Sequence, residues 1–383
     1  MTELFQIVVP VFNEEDTLER VLKYTKASGY LHRMVFVDDA STDLSPTILQ
    51  RWVDTEGVMA IRLEQNQKKE GAIRAALESL ANNGPGLAPY TVLLDADSII
   101  TSSSETGSVE AQLQAAIEHM KEKSLGGIAF RIDAISLKPL NAFALAAFAD
   151  YAAMQFDQWL VSHQFQLWVI NGPGGLFETE ALIAILRTIE PDFETGDLLI
   201  TVELMKQSRG IAFYPAVTVE TYVPTDTKSY FKQRRRWERG TTKILWRERS
   251  FYIALFHRPS LLALVTLIHL SLYVGFLILL IMLALQQVIP NEIPRILFLA
   301  SLVWMTIGYL KGVWLKLSRP QFPFFRFCGC TVLNAAVGLL VTTPARFTGF
   351  VEAIYQLARL RGAVIRRSQF DQSTLRWLSR RCK

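Results

Sequence analysis

The chain has 383 residues, 50% of them hydrophobic, with a formal net charge of +4 and a mean hydropathy of +0.21, more apolar than a purely soluble protein of ordinary composition. The charge is divided, since residues 1–225 hold 16 Lys and Arg against 30 Asp and Glu while residues 226–383 hold 24 against 6. An acidic half joined to a basic, apolar half suits a domain docked on an anionic leaflet, where each basic side chain contributes roughly 1 kcal/mol; with no nucleic-acid motif present, it argues against a nucleic-acid partner.

From residue 1 to about 225 short apolar runs alternate with helical stretches, the rhythm of an α/β domain. Residues 6–11, 34–38, 59–63 and 91–95 read as buried strands, with helices starting near Asn13, Ser45 and Glu70. Ligands of open α/β sheets lie beyond the carboxyl ends of the strands, so Asn13, Asp38, Asp39, Asp95 and Asp97 are expected to converge there. The amino terminus lacks a basic region followed by an export-length apolar stretch, so this domain is expected to stay in the cytoplasm.

Residues 226–258 are expected to lie along a membrane interface, because they open on a basic amphipathic stretch containing KQRRRWERGTTKILWRER. Residues 261–285 and 296–314 are apolar runs, each suited to one crossing. Arg247, Arg249 and Arg258 precede them and Lys311, Lys316, Arg319 and Arg326 follow, whereas the loop between holds one basic residue. Both outer flanks are therefore expected in the cytoplasm. A third stretch, 327–341, runs on past Pro344 to residue 360, either as a third crossing or as a re-entrant or interfacial pair of helices. Residues 259–360 thus read as the transmembrane or re-entrant part and 361–383 as a basic cytosolic tail. The three cysteines, Cys328, Cys330 and Cys382, make neither a disulfide framework nor a zinc site.

Asp95-Ala96-Asp97 follows the apolar Val92, Leu93 and Leu94. Two carboxylates one residue apart at a strand end can hold Mg²⁺ or Mn²⁺ and leave the cation's other positions to substrate phosphates; a solvated pair of loop acids is the plainer alternative. Asp38 and Asp39 end another strand, where a carboxylate can accept hydrogen bonds from a nucleobase or ribose, while Ser41 or Asp43 can cap the following helix. Lys69 beside Gly71 stands where a cation can approach a diphosphate, and a surface lysine is the plainer alternative. Residues 171–175, Asn-Gly-Pro-Gly-Gly, are expected to form a turn with backbone open to a ligand, or a plain loop. Asp197, ahead of a helix expected over 198–207, can cap that helix or act as a general base, and the local sequence leaves both open. No G-x-G-x-x-G follows the first strand, which argues against a dinucleotide-dependent oxidoreductase.

The segments PVFNEE, VDDAS, K-x-G-A, DAD, GPGG, TGD and QRRRW occur in that order, the last just ahead of the apolar runs. Over about residues 4–250 this ordered set resembles the family 2 glycosyltransferases of the GT-A fold. It is similar to their membrane-integrated branch, which includes cellulose, chitin and hyaluronan synthases and ceramide glucosyltransferases. The resemblance implies a Rossmann-like α/β domain over residues 1–225 that binds a nucleotide-sugar donor through Pro10, Asn13, Glu14, Asp39, Lys69, Asp95 and Arg236. It implies a divalent metal on Asp95 and Asp97, Asp197 as general base, and an acceptor bordered by Gly174, Gln233 and Trp237. Lipid headgroups remain an alternative ligand for Arg234 and Arg235. The activity implied is inverting transfer from UDP-glucose or UDP-N-acetylglucosamine to a growing polysaccharide or oligosaccharide at the inner or plasma membrane. Single transfer to a membrane lipid is the rival within the class; a non-catalytic scaffold is the rival outside it, and the intact acids Asp39, Asp97 and Asp197 speak against that. Two departures stand out. Gly196 occupies a position where the family usually has an acidic residue, so a contact beside the base is expected to be lost. The membrane part is also small beside that of the long-chain synthases, which speaks against unaided extrusion of a polymer and makes partner subunits for export an expectation.

Overall fold

A computed structural model of the chain describes residues 3–83, 86–101, 107–138, 141–164, 166–189, 194–256, 337, 341–342 and 344–357. Four strands, β1 (Phe5–Val11), β2 (Met34–Asp38), β3 (Met59–Arg62) and β4 (Tyr90–Leu94), alternate with α1 (Leu18–Ala27), α2 (Ser45–Glu56) and α3 (Lys68–Asn83). They pair in parallel in the order β3-β2-β1-β4. All four expected strands are present, within a residue at each end. The first helix starts at Leu18 rather than Asn13, because residues 13–17 form a turn in which Asn13 takes a positive φ of 56°.

The sheet then changes character. β5 (Ser98–Thr101), α4 (Val109–Glu122), β6 (Leu125–Ile135), α5 (Ala142–Ser162), β7 (Gly174–Glu178), α6 (Thr179–Leu186), α7 (Gly196–Lys206) and β8 (Gly210–Tyr222) extend it to eight strands, in the order β3-β2-β1-β4-β7-β6-β8-β5. β7 runs antiparallel to both β4 and β6. This mixed sheet places the carboxyl end of β4 beside the start of β7, with Leu94 opposite Gly174.

Both faces of the central strands are covered, which explains their uninterrupted apolar runs. Val8, Val35, Val37 and Leu93 pack with Ile73 and Leu77 of α3 and Leu198 and Val202 of α7. Ile7, Val9, Phe36, Val92 and Leu94 pack on the other side with Leu18, Leu22, Leu113 and Ile117. β3, read from the sequence as buried, is instead the largely exposed edge of the sheet. An apolar run cannot by itself distinguish an edge strand from an inner one.

Beyond the sheet, α8 (Thr227–Arg247) begins at Asp226, whose carboxylate accepts the Ser229 N–H at 2.9 Å, and α9 (Arg249–Phe256) follows. Residues 344–357 are helical and pack closely on α8, since a Cβ at Gly349 would meet the Arg235 carbonyl at 2.4 Å. Among the described residues no helix is long and apolar enough to cross a membrane. The two expected crossings, 261–285 and 296–314, most of the third stretch 327–341, and the tail lie outside the described residues.

Candidate active site

The loops after β1 and β2 are fastened to each other by hydrogen bonds. Asn13 N–H donates to Ser41 Oγ at 3.0 Å and Glu14 N–H to Ser45 Oγ at 2.8 Å. Asn13 Oδ1 accepts the Thr42 N–H at 2.9 Å. Asp43 accepts the Ser45 N–H at 2.9 Å from the residue before the N-cap, while the N-cap position of α2 itself belongs to Leu44, which makes no side-chain cap bond. Asp39 is buried, and its Oδ1 accepts the Gln67 N–H at 2.6 Å from the loop before α3. Burial holds its carboxyl above the ordinary carboxylate value, with the Gln67 and Lys68 N–H groups opposing. Asp38 has a different duty. Its Oδ1 accepts the Ser41 N–H at 2.9 Å inside the loop, which makes it a structural acid. Pro10 lies in β1 opposite Val37, supporting the same edge.

Lys69 joins the two halves of the site. Its ammonium bonds Asp95 Oδ1 and donates to the Gly172 carbonyl at 3.1 Å, while the Gly172 N–H donates to Asp197 Oδ2 at 3.1 Å. The strand-end acid and the aspartate at the start of α7 are therefore linked through one lysine and the backbone of one glycine. Burial disfavours the Lys69 charge, but Asp95 beside it outweighs this and the group titrates above its ordinary value. Burial lifts the Asp197 carboxyl, against the pull of Lys69 and of the Leu198 and Gly172 N–H groups; a carboxylate raised in this way suits proton abstraction. Asp197 is not the N-cap of α7. That position belongs to Thr195.

Asp97 accepts hydrogen bonds from Ser98 Oγ at 3.0 Å and Thr221 Oγ1 at 3.3 Å. Burial and the neighbouring Asp95 push it up to about 6. Glu14 is pushed up to about 8 by burial and by Asp97, with Asp95 adding to the effect. Three carboxylates thus crowd one spot, with Lys69 as counter-charge to one of them. Among the described residues no group of three or more His, Cys, Asp or Glu is placed to hold a metal by itself. The hard oxygen donors and the excess negative charge at Asp95 and Asp97 nonetheless fit a divalent cation whose remaining positions are filled by a diphosphate.

The glycine-rich turn is shorter than expected. It closes with a Gly174 N–H to Asn171 carbonyl bond at 3.2 Å, and Gly174 is already buried in β7, where a Cβ would meet Val219 Cγ2 at 2.6 Å. Packing against Val219 by itself requires a glycine here. The half-buried Gly172 has its carbonyl and N–H engaged by Lys69 and Asp197.

On α8 the arginines of the QRRRW segment part company. Gln233 and Trp237, four residues apart, share one stripe, with Arg234 and Arg236 flanking it on either side. Arg234 is buried, 2.7 Å from Asp150, with its guanidinium 4.5 Å from the Trp237 ring centre and 4.8 Å from that of Tyr230. Trp237 stacks on Tyr151, and Gln233 Oε1 is buried without a hydrogen-bond partner. Arg235 lies 3.6 Å from Glu352. Arg234 is thus enclosed by aromatic rings and away from any headgroup, whereas Arg235 keeps about a third of its side chain exposed beside Glu352. Arg236 is exposed and makes no ion pair among the described residues. Arg239 bridges Glu194 and Glu352, at 2.7 Å and 2.6 Å. α8 also crosses the start of α7 closely, since a Cβ at Gly240 would come 2.6 Å from Thr195 Oγ1.

Sequence reasoning missed Glu70, Asp150 and Thr221. Glu70 is buried beside Gly196, and the glycine was its one sequence signal. Asp150 and Thr221 carry no local mark, since each is defined by a partner far along the chain.

A parallel βαβ half thus ends in paired acids, with the Asp197 carboxylate brought to it across the antiparallel strand β7. A family model described as "Glycosyltransferase like family 2" matches residues 3–240, so the chain belongs to that family and is a glycosyltransferase. It is 21% identical to an N-acetylglucosaminyltransferase of Azorhizobium caulinodans, over 99% of this chain and 88% of that protein. The identity is also 21% to a poly-beta-1,6-N-acetyl-D-glucosamine synthase of Staphylococcus aureus, over 62% of this chain and 54% of that one. Among solved structures, the mannosyltransferase PcManGT from Pyrobaculum calidifontis, in complex with GDP-Man and Mn²⁺, superposes with a TM-score of 0.51 at 15% identity, covering 93% of this chain and 88% of that one. That likeness supports the GT-A-like mixed α/β fold.

Proposed function

We propose that this glycosyltransferase moves a sugar, with inversion, from a nucleotide-sugar donor to a saccharide acceptor at the cytoplasmic face of a membrane. The observation that carries the reading is the Asp95–Lys69–Gly172–Asp197 connection, which sets a diphosphate-binding acid and a candidate base at a defined separation. Asp39 and the Asn13–Glu14 loop receive the nucleoside. Lys69 and Asp95 orient the diphosphate, and Asp197 takes the proton from the acceptor hydroxyl as that oxygen attacks the anomeric carbon from the face opposite the leaving diphosphate. Mg²⁺ or Mn²⁺ held by Asp95 and Asp97 supplies neutralisation of the charge on the leaving group. Gln233 and Trp237 border the acceptor, the indole offering an apolar platform for a sugar face.

The names of relatives aligned over 62% and 99% of this chain favour N-acetylglucosamine as the sugar and a growing oligosaccharide or polysaccharide as the acceptor. A lipid acceptor is the second reading. It is favoured by the exposed Phe347, Phe350, Val351 and Ile354 on the helical segment packed against α8.

The test is nucleotide release by the full chain in lipid nanodiscs, offered UDP-N-acetylglucosamine, UDP-glucose or GDP-mannose with Mn²⁺ or Mg²⁺, followed by sizing of the products. A ladder or polymer supports the first reading and a single glycolipid the second. Asp197→Asn is expected to lower turnover about 10³-fold, within the range of general-base catalysis, while nucleotide binding persists. Unchanged turnover by that variant would refute the base.

A further inference from the structure

We propose that Glu70 is a positioning residue for the transfer: its carboxylate, packed over the backbone of Gly196, holds the first turn of α7 and so aims the Asp197 side chain. The inference rests on the assignment of Asp197 above. Glu70 is only 7% exposed, and acidic residues are seldom so buried without a task. A Cβ at Gly196 would lie 1.9 Å from Glu70 Oε1 and 2.1 Å from its Cδ. Gly196 is not among the described glycines with positive φ. Backbone conformation therefore does not require a glycine there; the space taken by the Glu70 carboxylate does.

The start of α7 lacks a cap of its own. Thr195, the N-cap residue, makes no side-chain cap bond, and its hydroxyl is buried without a partner. A carboxylate beside a helix N-terminus is stabilised by the unpaired N–H groups and the helix dipole; Glu70 brings one from α3, beside that of Asp197, whose Oδ1 accepts the Leu198 N–H at 2.9 Å within the first turn. Lys69, the preceding residue, bonds Asp95 and the Gly172 carbonyl. One turn of α3 thus grips both ends of the site, the acid pair through Lys69 and the base through Glu70. The side chain missing at position 196 has been replaced in space by one from position 70.

That replacement can be reversed. Measured with whichever donor of the nucleotide-release panel the wild-type enzyme uses fastest, Glu70→Ala is expected to lower kcat by about 10²-fold, the size of a small misplacement of a catalytic group, with the donor KM nearly unchanged. Gly196→Glu alone, with Glu70 in place, is expected to be at least as slow. Glu70→Ala combined with Gly196→Glu, which returns a carboxylate to the same region from α7, is expected to recover kcat to within about 10-fold of wild type. Hydrogen exchange on the full chain gives a readout independent of turnover: the amides of residues 196–199 should exchange at least about 10-fold faster in Glu70→Ala. Wild-type kcat and exchange in Glu70→Ala, or a double variant no faster than either single one, would overturn the proposal. An Asp197→Asn control separates the two readings. If it is fully active the base assignment fails, while the exchange result still reports on the grip of Glu70 on α7.

Discussion

The loops after β1 and β2 and the helices α5, α7 and α8 hold their functional side chains by different means. In the first region partners one βαβ unit apart, such as Asn13 and Ser41 or Glu14 and Ser45, are joined by bonds from backbone N–H groups to small hydroxyls, and the carboxylates of Asp38, Asp39 and Asp43 accept further N–H groups. In the second region the partners are charges drawn from distant elements: Arg234 with Asp150, and Arg239 with Glu194 and Glu352. Neutral loop bonds each contribute about 1 kcal/mol and are replaceable singly. A buried charge deprived of its partner costs several times more. The donor side should therefore tolerate single substitutions that the acceptor side does not.

The largest expected effect bears on what the two regions share. Removal of divalent metal by chelation should abolish turnover, with recovery on adding Mn²⁺ or Mg²⁺, because the cation proposed for Asp95 and Asp97 would neutralise charge worth several kcal/mol in the transition state. Turnover that survives exhaustive chelation would remove the metal from the scheme. Next comes Asp150→Asn, which leaves the Arg234 guanidinium buried without its counter-ion and should destabilise the protein by about 3 kcal/mol, read as a fall in Tm. Arg239→Ala unpairs Glu194 and Glu352, both about a third exposed or less, and should cost about 2 kcal/mol, the scale of hydrogen bonds to charged groups. Its kcat should fall as well, since Glu194 adjoins the N-cap of α7. The smallest effect is expected for Ser45→Ala, about 1 kcal/mol, with donor KM raised and kcat kept. A loss in Ser45→Ala as large as that in Asp150→Asn would break the contrast between the two regions.

The legible parts of the site follow the same division. VDDAS and DAD could be placed at strand ends because apolar runs bounded by acids mark β4 and β2 directly, and the strands begin and end within a residue of the expected positions. Lys69 and Asp197 were legible as candidates by the order of the motifs, whereas their link through Gly172 was not, because it depends on β7 entering antiparallel beside β4. In the run Arg234-Arg235-Arg236 the motif singled out Arg236, whereas the partners of Arg234 and Arg235 were not legible from sequence. Three identical side chains on successive helical positions point in three directions, and what each meets is decided by α5 and the helical segment at 344–357.

By itself the sequence determined the class of fold, the strand-end acids, the ordered motifs of the family and the split between an acidic and a basic half. These depend on periodicity and composition, which act over a few residues at a time. Only the tertiary structure decided that Gly174 serves packing, that Arg234 is enclosed by aromatic rings, and that Glu70 fills the space left by Gly196. Each of those outcomes is a contact between elements distant in the chain, fixed by how helices and strands pack and carrying no local signal beyond a glycine or an unexplained charge.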